Sequence, residues 1–442
     1  MIGFFVLFVS IVILLAQVNL DRAITALSPH ILFQVYFIVQ LPLNLFLGTN
    51  FYLPRFEMLS PMTRESDAAW LGFLIISAQM LFVAVVYLTA LPAFLRPPDQ
   101  IGWSRGRVNL VCSAALALGY LAFFALILMN GGFALFAETR EAWRTSGITG
   151  QGWILFPATT APAIAMCGIL INNSHLFKGR VGIVRLAALY LLTVIPASQL
   201  GFRSLIFLPL LQAAYFYHLF VRRIRAWEIF SAGFLVLVAF TLYGIQREIP
   251  YNAAMGSYSD YLSYIEKTRP DLVYTTVLRS MGADIVQQVV VHMRIFSDYM
   301  KLVPSAVEAA TIGIPSSLWP DKPLPLSVQF SRAVFGLDGG VSPTIVGEGY
   351  WHAGLIGVVI LITIAGLLHA YFRSLELRSK TGKSSTLLML SLYPSLIMMA
   401  ESFQGYLNGI VLIAIANWLF RRAFGPANAS PHWRSNAPLV GE

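Results

Sequence analysis

The chain has 442 residues, of which 57% are hydrophobic and only 12% charged, and its formal net charge is +9. A soluble domain normally carries about a quarter charged residues. The composition therefore excludes an ordinary soluble protein and indicates an integral membrane protein. Nucleic acid is not an expected partner, because the excess Lys and Arg residues lie in short segments between apolar runs, where they set membrane topology.

Uncharged windows of about 18 residues or more, long enough to cross roughly 30 Å of hydrocarbon, recur along the chain. We predict an all-α polytopic protein with about 11 transmembrane helices, since helices satisfy their own backbone hydrogen bonds in lipid. The close pairs at 183–220 and 384–420 are alternatively broken or re-entrant helices. The predicted spans are 2–20, 30–47, 69–95, 108–130, 153–172, 183–200, 204–220, 227–244, 354–372, 384–400 and 405–420.

Four regions follow from these spans: an N-terminal transmembrane bundle of about eight spans (1–244), a large, partly helical loop (245–353), C-terminal transmembrane helices (354–420) and a cytoplasmic tail (421–442). Basic residues recur in every second short loop, which predicts that those loops are cytoplasmic and the large loop lies outside. The basic loops contain Arg96, Arg105 and Arg107, then Lys178, Arg180 and Arg185, then Arg222, Arg223 and Arg225, and then Arg373, Arg378, Lys380 and Lys383.

The predicted outer face carries basic residues that topology alone disfavours. Guanidinium groups bind phosphate bidentately and stay charged when partly buried, so converging outer arginines suggest a site for pyrophosphate or another polyanion. Arg203 is the strongest candidate, because it lies in a tight turn between two apolar runs. The alternative is that these charges are solvated or paired on loop surfaces. The other candidates are Arg140, Arg144, Arg279, Arg294 and Lys322.

The stretch from Ile314 to Val358 closes the large loop and contains five prolines, which forbid one continuous helix. Glu348 and His352 are spaced i, i+4 at its end, where a carboxylate and an imidazole could deprotonate or orient a hydroxyl group. A histidine that merely faces headgroups is the alternative. Tyr350, between them, is a further candidate for binding sugar.

No spacing in the chain predicts a metal site or a nucleotide-binding loop, and we expect no cofactor. Cys112 and Cys167 fall inside predicted spans, so a disulfide scaffold is not predicted. True charges are nearly absent from the predicted spans, with Glu228 and Glu401 at span edges, which argues against an ion-coupled transporter.

Three motifs resemble one family. The loop sequence from Ile314, with its Trp-Pro-Asp-Lys-Pro run, and the later Gly-Glu-Gly-Tyr-Trp-His-Ala-Gly run resemble those of bacterial oligosaccharide repeat-unit polymerases, the O-antigen polymerase (Wzy-type) family. Gly-Phe-Arg-Ser at 201–204 resembles that family's glycine-arginine turn, and Arg140 with Arg144 fits its arginine-bearing outer loop. Two departures are Ile-Pro-Ser in place of Ile-Pro-Arg, and Trp351-His352-Ala353 before the next span.

The resemblance implies a glycosyltransferase of the bacterial inner membrane that joins undecaprenyl-pyrophosphate-linked repeat units into a surface polysaccharide at the periplasmic face. Arg203, Glu348 and His352 would act in catalysis. Arg140, Arg144, Arg279, Arg294, Lys322 and Tyr350 would bind the substrate. Membrane lipid and a chain-length regulator are the other implied partners. An O-antigen ligase, a lipid-linked sugar flippase, a polysaccharide exporter and a structural subunit remain alternatives.

Overall fold

The structure is a computed structural model that describes residues 1–20, 27–50, 65–89, 104–133, 135–136, 152–200, 203–225, 227–228, 231, 319, 324, 326–335, 342–377 and 383–424. The regular elements within these ranges are helical, with no strand among them. The described helices of eight or more residues are α1 (Ile2–Leu20), α2 (Pro29–Gln40), α3 (Pro42–Asn50), α4 (Glu65–Leu88), α5 (Arg105–Met129), α6 (Gly152–Asn172), α7 (Gly179–Gln199), α8 (Arg203–Phe220), α9 (Leu326–Phe335), α10 (Thr344–Leu377), α11 (Lys383–Met398) and α12 (Phe403–Phe424).

Seven of these helical stretches are long and apolar enough to cross a membrane, which confirms the predicted class of helical membrane protein. They are Ile2–Leu20, Pro29–Phe46, Ala68–Leu88, Arg105–Met129, Trp153–Asn172, Gly179–Gln199 and Thr344–Leu377. The apolar parts of α8, α11 and α12 are shorter. Eleven spans therefore remain a prediction, and the predicted span at 227–244 lies almost wholly outside the described residues.

One large apolar core joins α2, α4, α6, α8, α10, α11 and α12. Aromatic rings form its centre: Phe33 of α2 stacks on Phe82 of α4 with centroids 4.3 Å apart, and Tyr215 stacks on Tyr393 at 5.0 Å. By contrast, α1, α5 and α7 expose large apolar side chains such as Phe4, with 61% of its surface accessible. Apolar surface of this extent fits a bundle surrounded by lipid.

Basic residues gather at one end of the bundle, as the topology prediction requires. Arg105, which begins α5, donates from Nη2 to the Asn173 side-chain oxygen at 3.2 Å, just after α6 ends. Burial and, secondarily, the positive charge of Arg105 lower the pKa of Lys383, which begins α11. The basic loop before α7 follows the same asparagine, and these loops therefore share an end. Which side of the membrane this end faces remains a prediction.

Candidate functional site

A sharp bend divides α10. Ala353 (φ −153°, ψ 29°) and Gly354 (φ 60°, ψ −139°) leave the helical region, and the positive φ of the second residue favours glycine. Gly349 and Gly357 meet across the bend, where a Cβ atom on Gly357 would lie 1.9 Å from the Gly349 carbonyl oxygen. In a continuous helix these residues would be separated by about 12 Å along the axis. Residues 344–352, here called the bent segment, therefore fold away from the rest of α10.

The helices α11 and α12 form an antiparallel hairpin whose tip is residues 399–402. The pairing is fixed by the Asn417 side chain, which donates to the Ser391 hydroxyl at 2.9 Å in the buried interface. The 16 residues of α11 rise only about 24 Å, less than the roughly 30 Å of hydrocarbon. This short hairpin favours the broken-helix alternative for residues 384–420.

The bent segment covers the hairpin tip. The Ile345 amide donates to the Ala400 carbonyl oxygen at 3.0 Å, and the Ser342 hydroxyl donates to the carbonyl oxygen of Glu401. Thr344, which begins the segment, has a φ of 63°, a rare conformation for a β-branched residue. The bend and these bonds bring the predicted residues of the large loop onto the C-terminal hairpin.

Glu348 of the bent segment caps α12. Its carboxylate accepts the Gln404 backbone amide at 3.0 Å and the Ser402 hydroxyl at 3.3 Å, one on each oxygen, and its residue is 1% exposed. A helix N-terminus has unpaired amides and a positive dipole end, both of which stabilise an ionised carboxylate. Glu348 is thus buried and held in place rather than facing headgroups.

A second carboxylate lies in the tip itself. Glu401 is half-buried, and one of its oxygens accepts hydrogen bonds from Tyr36 of α2 at 3.1 Å and from Tyr406 of α12 at 3.4 Å. The two carboxylates have different surroundings: backbone amide and serine hydroxyl around Glu348, two tyrosine hydroxyls around Glu401. Different surroundings are what give paired carboxyl groups different roles as acid and base.

The register of α2 against α10 shows how deep this tip lies. The two helices run antiparallel, because Ser28 donates to Glu376 at 2.6 Å and the Phe33 ring lies 4.8 Å from the His369 ring. Tyr36, three residues further along α2, then lies beside residue 365 or so. Along α10, residue 365 lies about 11 residues, or roughly 16 Å, from the bend. It lies at a similar distance from Glu376 in the other direction. Glu401 therefore lies near the middle of the bundle.

His352 and Tyr350 complete the predicted acceptor side. His352 lies one helical turn after Glu348 and is only 8% exposed. Trp351 is also buried, with its ring edge-on to Phe330 of α9 at 5.4 Å between centroids. Tyr350 is half-buried. The structure therefore keeps Glu348 and His352 close together inside the protein, and the alternative of a headgroup-facing histidine does not hold.

Of the cationic residues predicted to bind the substrate, the structure describes only the backbone of Arg203. Arg203 begins α8, immediately after the two-residue gap that follows α7 and Leu200, so its place between two apolar helices is confirmed. Its side chain and the remaining predicted cations lie outside the described residues. These are Arg140, Arg144, Arg279, Arg294 and Lys322.

Sequence reasoning missed the carboxylates of the interior. Besides Glu401, the buried Glu376 near the basic end of α10 accepts from Ser28. Glu401 lies between α11 and α12 and Glu376 in the last turn of α10, so both are at helix ends; what the sequence did not show is that each has a partner on or just before α2. One signal was available: α2 reads as an apolar span, yet it carries His30, Gln34 and Gln40, all of which are buried.

Within the described residues no group of three or more His, Cys, Asp and Glu side chains is placed to hold a metal ion. Cys112 and Cys167 are buried free thiols, as predicted for cysteines within spans. The site is a set of carboxylates with hydroxyl and imidazole neighbours, and this set can accept, donate and relay protons.

The fold and the site define the protein's class: a helical membrane protein with a polar centre inside its bundle. No family model, curated protein or solved structure matches the chain, so the comparisons assign it to no family.

Proposed function

We propose that the protein is a membrane glycosyltransferase that polymerises undecaprenyl-pyrophosphate-linked oligosaccharide repeat units into a surface polysaccharide. The observation that carries the proposal is the placement of Glu348 and His352 on adjacent turns of a buried segment, folded onto a hairpin tip with its own carboxylate. The motif resemblance supplies the substrate class. The large loop is periplasmic in this proposal.

The proposed reaction needs a cationic side, which stabilises the leaving group, and an acceptor side, which takes up a proton. The acceptor hydroxyl oxygen attacks the anomeric carbon of the donor sugar while the bond from that carbon to the phosphate oxygen breaks, and pyrophosphate leaves with the bonding electrons. Arg203, with Arg140 and Arg144, neutralises the departing pyrophosphate. Glu348 or His352 takes the proton from the attacking hydroxyl. Arg279, Arg294, Lys322 and Tyr350 bind the rest of the substrate.

Arg203→Ala is expected to abolish long polysaccharide chains when it replaces the native protein. Removing one group that stabilises developing charge typically lowers turnover about 100-fold or more. Chain length is measured on a gel of surface polysaccharide, at expression equal to that of the unmodified protein. Arg180→Ala is the matched control, since Arg180 is exposed at the opposite end of α7. A full ladder of long chains from the Arg203 variant would refute its role at the pyrophosphate.

The orientation is tested by labelling Lys178→Cys with a thiol reagent that does not cross membranes. Lys178 is exposed in the basic loop before α7, and the two native cysteines are buried and should stay unlabelled. We expect modification only after the cells are opened, because basic short loops are retained in the cytoplasm. Labelling of intact cells would reverse the orientation and remove the periplasmic site.

A lipid-linked sugar flippase is the second candidate, and one observation favours it. Transporters place polar sites near the bilayer midplane, between broken helices, and Glu401 lies at mid-depth in the tip of a short hairpin. Purified protein in vesicles distinguishes the two functions. A polymerase elongates lipid-linked repeat units supplied on one side, whereas a flippase moves them across without changing their length.

A further inference from the structure

The hairpin tip presents a carboxyl group with hydrogen-bond donors on one side. Tyr36 and Tyr406 both donate to the same oxygen of Glu401, at 3.1 and 3.4 Å. These bonds favour the ionised form, whereas transfer from water into the middle of an apolar bundle favours the protonated form. The two effects oppose each other, so neither the ionised nor the protonated form is excluded by the surroundings of Glu401.

The same region contains buried acceptors. Gln40 lies one helical turn after Tyr36 on the same face of α2, is 3% exposed, and interacts with the Tyr36 hydroxyl. Its side-chain oxygen has no hydrogen-bond partner among the described residues, and neither has that of Asn408 on α12. A buried oxygen of this kind normally accepts a hydrogen bond from a protein group or from water. An ionised carboxylate cannot donate one, but a protonated carboxyl group can.

The neighbouring titratable groups do not hold the proton equally well. The described ones that bond to the tip are Tyr36 from α2 and Tyr406 from α12, which donate to Glu401, and Glu348 from the bent segment, which accepts from Ser402. Glu348 accepts a backbone amide and a hydroxyl at the start of α12, which stabilise its ionised form. Glu401 is therefore the member of the pair suited to carry the proton.

We propose that Glu401 is a reversible proton-binding site inside the bundle, at which the carboxyl group alternates between accepting from Tyr36 and Tyr406 and donating to a buried amide oxygen or water. The site goes beyond the proposed glycosyl transfer and does not depend on it. Its partial exposure provides a route for proton exchange. A proton enters when the carboxylate is neutralised and leaves when it ionises, so the step has no other reactant.

The test is infrared difference spectroscopy of the full-length protein in lipid nanodiscs, recorded over a pH series. A protonated carboxyl group has a C=O absorption that an ionised one lacks. We expect this band to disappear as the pH rises in the unmodified protein and to be absent in Glu401→Gln. Glu228→Gln should keep it, because the Glu228 carboxylate forms an ion pair with Arg222 at 2.7 Å and accepts the Arg225 backbone amide, which together hold its pKa below the usual range.

Tyr36→Phe keeps the proposal testable if Glu401→Gln does not fold. Removing a donor to the ionised form should raise the midpoint of the titration by about one pH unit. Tyr120→Phe is the control, since the Tyr120 hydroxyl donates to the Leu192 backbone oxygen of α7 and not to Glu401. A band that persists in Glu401→Gln, or a midpoint that Tyr36→Phe leaves unchanged, would overturn the proposal. A midpoint that moves with sodium concentration would overturn it in favour of a metal-cation site.

Discussion

Gly357→Ala is expected to prevent the normal bend in α10 and to destabilise the whole bundle. The new Cβ atom would lie 1.9 Å from the Gly349 carbonyl oxygen, a backbone atom that cannot rotate away, and 2.9 Å from its carbon. Overpacking of a tight interior contact costs about 3 kcal/mol or more when the backbone itself must shift. Because the bent segment holds the hairpin tip, the damage should extend to α12.

Thermal unfolding in detergent measures this effect, and Gly106→Ala is the matched control. Gly106 is also a helical glycine, in the first turn of α5, but a Cβ atom there meets nothing within 4 Å. Alanine at a helical position without a clash is neutral or slightly stabilising, because glycine has the lower helix propensity. Equal melting temperatures for the two variants would show that the contact across the bend is not rigid.

A comparison of two substitutions at Glu348 is expected to separate its structural role from its proposed chemical role. Glu348→Ala leaves the buried Gln404 amide and the half-buried Ser402 hydroxyl without their acceptor, at a cost of about 2 to 3 kcal/mol. Glu348→Gln retains one acceptor oxygen and the same size, so most of the stability should remain. Both substitutions remove the negative charge that stabilises the start of α12, and with it the base of the proposed reaction.

Stability and polymer length are therefore measured together on both variants. A cap alone predicts that Glu348→Gln remains folded and still makes long chains. A catalytic base predicts that Glu348→Gln remains folded and loses them. Hydrogen exchange at the first amides of α12 reports the cap directly and should accelerate in Glu348→Ala. Glu228→Ala should leave it unchanged, because Glu228 pairs with Arg222 and not with α12. Unchanged exchange in Glu348→Ala would remove the capping role.

Single segments of the fold were predictable because each satisfies its backbone within itself. The apolar runs at 2–20, 108–130 and 153–172 correspond to α1, α5 and α6 with ends shifted by at most three residues. Proline at position 42 marks the break between α2 and α3, where Leu41 leaves ideal helical geometry. The pair at 384–420 is less decided: the apolar parts of α11 and α12 are shorter than those of the seven long helices, so whether they are full spans or a broken pair remains open to either prediction.

The candidate site was predictable only in part. The i, i+4 spacing of Glu348 and His352 is a local property, and both residues do lie on one helical segment. Glu401 looked like a residue at a span edge, because nothing near it in the sequence shows that Tyr36, 365 positions away, donates to its carboxylate. The resemblance to the polymerase family rests on motifs whose cationic members lie mostly outside the described residues.

The sequence by itself determined that this is a helical membrane protein with its basic loops at one end, because hydrophobicity, helix length and charge placement act locally along the chain. Only the tertiary structure decided where the carboxylates lie. The bend at Gly354 turns Glu348 onto the start of α12, and the short hairpin places Glu401 beside α2 near the middle of the bundle. Both depend on contacts between residues far apart in the chain, and packing alone specifies such contacts.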